Sequence, residues 1–366
     1  EWELGKHFEA VMRKADKIRE GLPFRDSSYY FDRFQMASAA NLYFDKGKQR
    51  RYDQNLQAAA DHLDRYYLIL KLKYSCEILN RRNVVAAEYD LGFLPDILQV
   101  LDEHTYPDTP AIGIYHTILQ SLIEPEDAQH FRRLRSLLRE KAELFPLLEL
   151  RDMYAYAQNY CARKINTGQM EYIPELFELY KFGLDRRIFF TEKYLSHSTY
   201  KNIMAVALRL GEFPWALEFA ENYREQLAPD FRETAYAYNR ANYHFVRGEF
   251  HRALGLLQQV EFSDVYYGLD TRAMMLKIYY ELDEPEALDS LNGSFEVYLK
   301  RNKLVSETMR RTYRNLNRFV KKLVRLLPED YKRIGQLKVE IEQSRAVADK
   351  TWLLDKIGEL ENSKSH

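Results

Sequence analysis

At 366 residues and 43.7 kDa the chain is long enough to bury one large core or several in series. Hydrophobic residues at 46% and charged residues at 30% exclude a disordered chain, and a formal net charge of −1 supplies no global field toward nucleic acid or anionic lipid. Only 14 glycines and 11 prolines serve its turns, too few for a β-sandwich or doubly wound sheet of this length, so the composition points to an all-α fold.

No signal peptide is visible at the start. The chain opens on Glu1 rather than methionine, as a piece of a longer protein with an upstream domain would. "NLQAAADHLDRYYLILKLKYSCEILN", residues 55–80, places Leu56, Ala60, Leu63, Tyr67, Leu70, Tyr74 and Ile78 at steps of three and four, which predicts a helix of about seven turns with that stripe facing the core. His62 lies there between Asp61 and Asp64, but neighbours at those offsets diverge around a helix, so it reads as a surface histidine and not a metal ligand. "HTYPDTPAIG", residues 104–113, reads as a loop. The charge-free run "TPAIGIYHTILQSLI", residues 109–123, is shorter than the ~18–20 residues that span a membrane. Amphipathic helices follow in "DAQHFRRLRSLLREKAELF" and "LLELRDMYAYAQNYCARKI", and "GQMEYIPELFELYKFGL" reads as a turn at Gly168 followed by a helix.

The second half repeats itself. "LRLGEFPWALEF" (208–219) and "VRGEFHRALGLL" (246–257) share G-E-F-x-x-A-L, and "LDEPEAL" (282–288) is a looser third copy. Aligned on Ala216, Ala253 and Ala287, the copies are 37 and 34 residues apart, a helix–turn–helix period. Gly211 and Gly248 sit where a first helix must end in a left-handed residue, Phe213 and Phe250 fill the wedge between two helices, and the alanines mark close crossings. In the third copy Leu282 stands at the glycine position.

Residues 193–300 therefore resemble the tetratricopeptide-repeat superfamily. The resemblance implies a right-handed superhelix of helical hairpins with terminal capping helices: N-terminal hairpins over 1–110, tetratricopeptide-like repeats over 111–302 and capping helices over 303–366, in one continuous solenoid. It implies a non-enzymatic cytoplasmic scaffold whose concave groove holds a peptide or helix from a protein partner. Counting back from the alanines places Lys201, Tyr238, Asn242 and Arg272 in that groove. Lys201, Asn242 and Arg272 match by type three of the five positions with which chaperone-binding relatives clamp a C-terminal carboxylate, and Ala205 and Leu276 occupy the other two.

The 28 tyrosines include the pairs Tyr29–Tyr30, Tyr66–Tyr67, Tyr266–Tyr267 and Tyr279–Tyr280, which suit boundaries where a ring packs and a hydroxyl stays wet. Cys76 and Cys161 have no metal-ligand spacing and read as buried free thiols. No phosphate-binding, dinucleotide, zinc-protease or serine-hydrolase motif is present, so neither an enzyme, a cofactor nor a metal is expected. Glu126–Asp127 and Glu329–Asp330 each follow a proline and read as charges at helix N-termini.

Finally, "VSETMRRTYRNLNRFVKKLVRLL", residues 305–327, carries Arg311, Arg314, Arg318, Lys322 and Arg325 as one basic stripe opposite an apolar stripe of Met309, Tyr313, Leu316, Val320, Leu323 and Leu327; Arg132, Arg135 and Arg139 form a smaller copy. The plain reading is a solvated face paired with acids elsewhere. The alternative is a surface for nucleic-acid phosphates or an acidic partner.

Overall fold

Scarce glycine and proline leave few places to stop a helix, and the chain is all-α accordingly. The computed structural model describes residues 2–46, 52–82, 89–259 and 264–362. Among these are seventeen α-helices and one β-hairpin, Phe190–Thr191 with Tyr194–Leu195. No helix of the described residues is long and apolar enough to cross a membrane. The chain divides into two compact units, Glu1–Phe189 and Phe190–His366.

The first unit holds α1 (Trp2–Glu20), α2 (Ser27–Lys46), α3 (Gln54–Arg82), α4 (Leu94–Glu103), α5 (Pro110–Ile123), α6 (Ala128–Lys141), α7 (Leu147–Asn166) and α8 (Tyr172–Asp185). The charge-free run is α5, with Ile114, Ile118 and Leu119 wholly buried, and α3 packs across it. Helix α5 begins at Pro110, so the expected loop is shorter than read: proline with its preset φ opens the helix instead of preventing it. Helix α3 is as long as expected but turned over. Leu68, Ile69, Leu72 and Cys76 face the core, while Leu56, Leu63, Tyr67 and Tyr74 of the expected core stripe are exposed. His62 is half-buried rather than on the surface, its Nδ1 removed from solvent without a hydrogen-bond partner. Both cysteines are buried and free, and burial pushes the Cys161 thiol up to about 12.

The second unit continues with α9 (His197–Arg209), α10 (Phe213–Asn222), α11 (Pro229–Val246), α12 (Phe250–Gln258), α13 (Val265–Glu281), α14 (Pro285–Arg301), α15 (Glu307–Leu323), α16 (Tyr331–Gln343) and α17 (Lys350–Asn362). Helices α9/α10, α11/α12 and α13/α14 pack as hairpins, and the first helices of successive hairpins also pack on one another. This local arrangement is compatible with a helical-repeat stack.

The hairpin turns are three copies of one hydrogen-bonded device. Gly211 and Gly248 take φ of 78° and 73°, as expected. The amides of Gly211 and Glu212 donate to the carbonyls of Leu208 and Ala207, and those of Gly248 and Glu249 to Phe245 and His244, the two bonds that close an α-helix on a left-handed residue. In the third turn Asp283 and Glu284 make the same pair to Tyr280 and Tyr279, with Asp283 at φ 53°. This corrects the sequence alignment by one residue. Asp283, not Leu282, is the counterpart of the glycines, a position aspartate tolerates because its short polar side chain satisfies nearby backbone. The counterpart of Ala216 and Ala253 is then Leu288, whose amide donates to Glu284 as theirs do to Glu212 and Glu249; all three are buried, whereas Ala287 is only half-buried.

The α11/α12 turn also carries a charge cluster. The Glu249 carboxylate lies 2.8 Å from His244 Nδ1 and accepts from Arg247 at 2.9 Å and Arg252 at 3.0 Å. The His244 bond foremost, with the two arginines, holds its pKa down from 4.5 to about 2. A carboxyl with a depressed folded pKa stabilises the fold above its unfolded value, and that contribution is lost as pH falls from about 4.5 toward 2. Glu249→Gln is expected to lower the melting temperature at neutral pH and to converge on the parent at the acid end of that window. Equal separation of the two melting curves at every pH would contradict this.

Candidate functional site

The first residues of α9, α13 and α15 enclose a cavity of about 260 Å³ within the second unit. Helix α9 lines it with His197, Ser198, Lys201 and Asn202, which share one face because His197 and Lys201, and likewise Ser198 and Asn202, lie four positions apart. Asp264, Tyr266, Tyr267 and Asp270 come from the start of α13, and Met309 and Tyr313, one turn apart, from α15.

Asp270 organises these walls. Its Oδ2 accepts from Lys201 Nζ at 2.6 Å, and its Oδ1 accepts from the Tyr313 hydroxyl. The Lys201 and Asp270 side chains are 24% and 23% exposed, so the pair meets water on one side only. Burial, and then the Asp270 charge, raise the pKa of Tyr313, which stays a neutral donor. The Lys201 ammonium also lies 5.2 Å over the Tyr267 ring, whose hydroxyl donates to the His197 carbonyl at 2.9 Å. Asp264 caps α13 by accepting from the Tyr267 amide at 2.9 Å. His197 stacks on Phe231 at 4.1 Å, and its partial burial lowers its pKa, favouring the neutral ring. The site thus offers aromatic faces, a neutral imidazole, an exposed amide at Asn202 and an ion pair with part of its edge in water.

Of the four residues read into the groove, Lys201 alone lines the cavity. Tyr238 is 8% exposed and stands behind the wall, edge-to-face with Tyr267 at 5.1 Å, its pKa raised by burial. Asn242, one turn further along α11, is half-buried and outside the lining. Arg272 is two residues past Asp270, a rotation of about 200°. Its guanidinium therefore leaves the cavity and stacks on Tyr298 of α14 at 3.8 Å while donating to the Gly268 carbonyl. Lys201 already holds a carboxylate of its own chain, so the cations expected to clamp a partner's carboxyl terminus are engaged inside the fold. Sequence reading missed Asp270, Tyr267, Tyr313 and His197. The one available signal is Asp270 itself, a lone acid in the run "VYYGLDTRAMM".

Two of the four tyrosine pairs split, as residues pointing about 100° apart on a helix can: Tyr267 is buried beside exposed Tyr266, and Tyr67 is exposed beside half-buried Tyr66, whereas Tyr29 and Tyr30 are both buried and Tyr279 and Tyr280 both half-buried.

Three of the five cations of the basic stripe are paired with acids. Arg314 lies 3.5 Å from Glu296, and Glu340 takes both Arg318 at 3.3 Å and Lys322 at 2.5 Å. Arg311 is exposed. Helix α15 ends at Leu323, so Arg325 and Leu327 fall beyond it and do not extend the two stripes; Leu327 is exposed where the apolar stripe required burial. In the smaller copy Arg135 pairs with Glu175. Asp127 caps α6 through the Gln129 amide, as expected of an acid at a helix N-terminus, and with Glu124 it flanks His130.

No family model matches the chain, and no curated protein matches it.

Proposed function

We propose that the chain is a non-enzymatic interaction scaffold, built of tetratricopeptide-like hairpins, that holds a peptide or helix of a protein partner against α9, α13 and α15. The observation that carries this reading is the cavity that α9, α13 and α15 line jointly, with its walls fixed by the Lys201–Asp270–Tyr313 network. Side chains set in advance by such a network lose little freedom when a ligand arrives, which favours binding. The repeated turns and the lack of catalytic motifs in the sequence support the same reading.

The test uses peptides selected from a displayed random library against the full chain. Ser198 and Asn202 are both exposed, so Ser198→Trp and Asn202→Trp fill the cavity without disturbing the core. Each is expected to weaken the selected peptides by about tenfold or more, a loss of ~1.4 kcal/mol, with unchanged helicity and melting temperature. Arg272→Ala, outside the lining, leaves affinity within about threefold. Peptides that bind both tryptophan variants as well as the parent place the binding surface elsewhere.

A further inference from the structure

Helix α3 is apolar on two faces, and the core uses one of them. On the other, Leu56, Leu63, Tyr67 and Tyr74 are 60%, 44%, 46% and 57% exposed. With Ala60 and Leu70 they recur in alternating steps of four and three, the seven-residue period that packs one helix along another. Single exposed apolar side chains are ordinary, whereas a continuous row of them marks a contact surface.

We propose that this row is a two-fold interface between two copies of the chain, with their α3 helices antiparallel and centred on the Tyr67–Leu70 turn. In that register Tyr67 of one copy packs on Leu70 of the other, and Leu63 packs on Tyr74, each contact made twice by symmetry. The charges along the row fit the same occupant. Asp64 and Lys71 lie on one flank of the stripe, two turns apart, and among the described residues neither makes an ion pair. Antiparallel pairing in this register sets Asp64 of each copy against Lys71 of the other. A two-fold interface must complement itself, and an acid and a base placed evenly about the centre do so. A lipid surface would instead call for cations along the row. On the opposite flank the Tyr66 ring lies tilted against Phe31 of α2 at 5.1 Å, which widens the apolar strip.

Sedimentation velocity of the full chain across the micromolar range is expected to show a species of twice 43.7 kDa. Tyr67→Glu yields a monomer with unaltered helicity and melting. Asp64→Lys and Lys71→Asp each weaken the dimer by about tenfold or more, because each sets like charges together twice, and the double variant restores it to within about threefold of the parent. A parent that stays monomeric, a dimer that survives Tyr67→Glu, or a double variant no tighter than the single ones overturns the proposal. So does a monomer that binds vesicles of anionic lipid through this face.

Discussion

Truncating Leu288 to alanine is expected to cost about 2–5 kcal/mol of unfolding free energy, and Ala253→Leu about 1–3 kcal/mol, while Ala287→Leu costs well under ~1 kcal/mol. The three values test one structural claim. Residues 216, 253 and 288 each sit four past the residue that accepts their amide hydrogen bond, at the entry to the second helix of a hairpin, and each is buried. In the first two hairpins the gap takes a methyl group, so a leucine there must push the helices apart. The third gap is wide enough for leucine, and removing that side chain leaves a void whose walls lose their contacts. Two of the three tryptophans, Trp215 in α10 and Trp352 in α17, lie in the second unit, so with Trp2 of the first unit replaced by phenylalanine tryptophan fluorescence in urea follows the second unit's unfolding. An Ala287→Leu loss as large as that of Ala253→Leu, with little effect at Leu288, would restore the register read from the sequence.

That one-residue slip shows what the sequence can and cannot carry. Where glycine fills the left-handed position, its freedom at positive φ is written in the letter itself, and two turns were placed correctly from Gly211 and Gly248. Asp283 does the same task without announcing it, and Ala287, next to Leu288, supplied a false match. Helix α3 fails for a different reason. Its central run "YLILKLKY" is apolar on both sides, so a period of 3.6 fits either face and cannot choose which one meets α5. For α15 the charge pattern singled out the right faces because arginine and lysine lie opposite the apolar residues, and Tyr313, Leu316, Val320 and Leu323 are buried as expected. The candidate site was the least legible part. Lys201 was found from its place on α9, but its partner lies 69 positions away on α13. No local pattern links the two. The error at Arg272 arose within a single turn, since two residues suffice to carry a side chain from the cavity to the far side of its helix.

Asp270→Ala is expected to destabilise the second unit by about 2 kcal/mol or more, because it strips the acceptor from two donors at once. Lys201 and Tyr313 approach the two oxygens of this one carboxylate from α9 and α15, so Asp270 joins both helices to α13 through a single side chain. Its loss leaves an ammonium group in a setting only a quarter exposed and a hydroxyl in a buried one, and neither can be fully compensated by water. The value lies below the ~3–5 kcal/mol expected for breaking a fully buried pair because the open edge admits solvent. Asp270→Asn keeps one oxygen able to accept from Tyr313 while removing the charge, and it should lose less. The decisive comparison is the double variant with Lys201→Met. If the unpaired ammonium is a large part of the penalty, removing it from the Asp270→Ala background raises stability, although Lys201→Met lowers it in the parent. That reversal of sign is a coupling of about 0.5–3 kcal/mol, read from the four urea midpoints. Additive losses would mean that Lys201 and Asp270 sit near one another without acting together, and that the cavity wall is held by Tyr313 and the packing behind it.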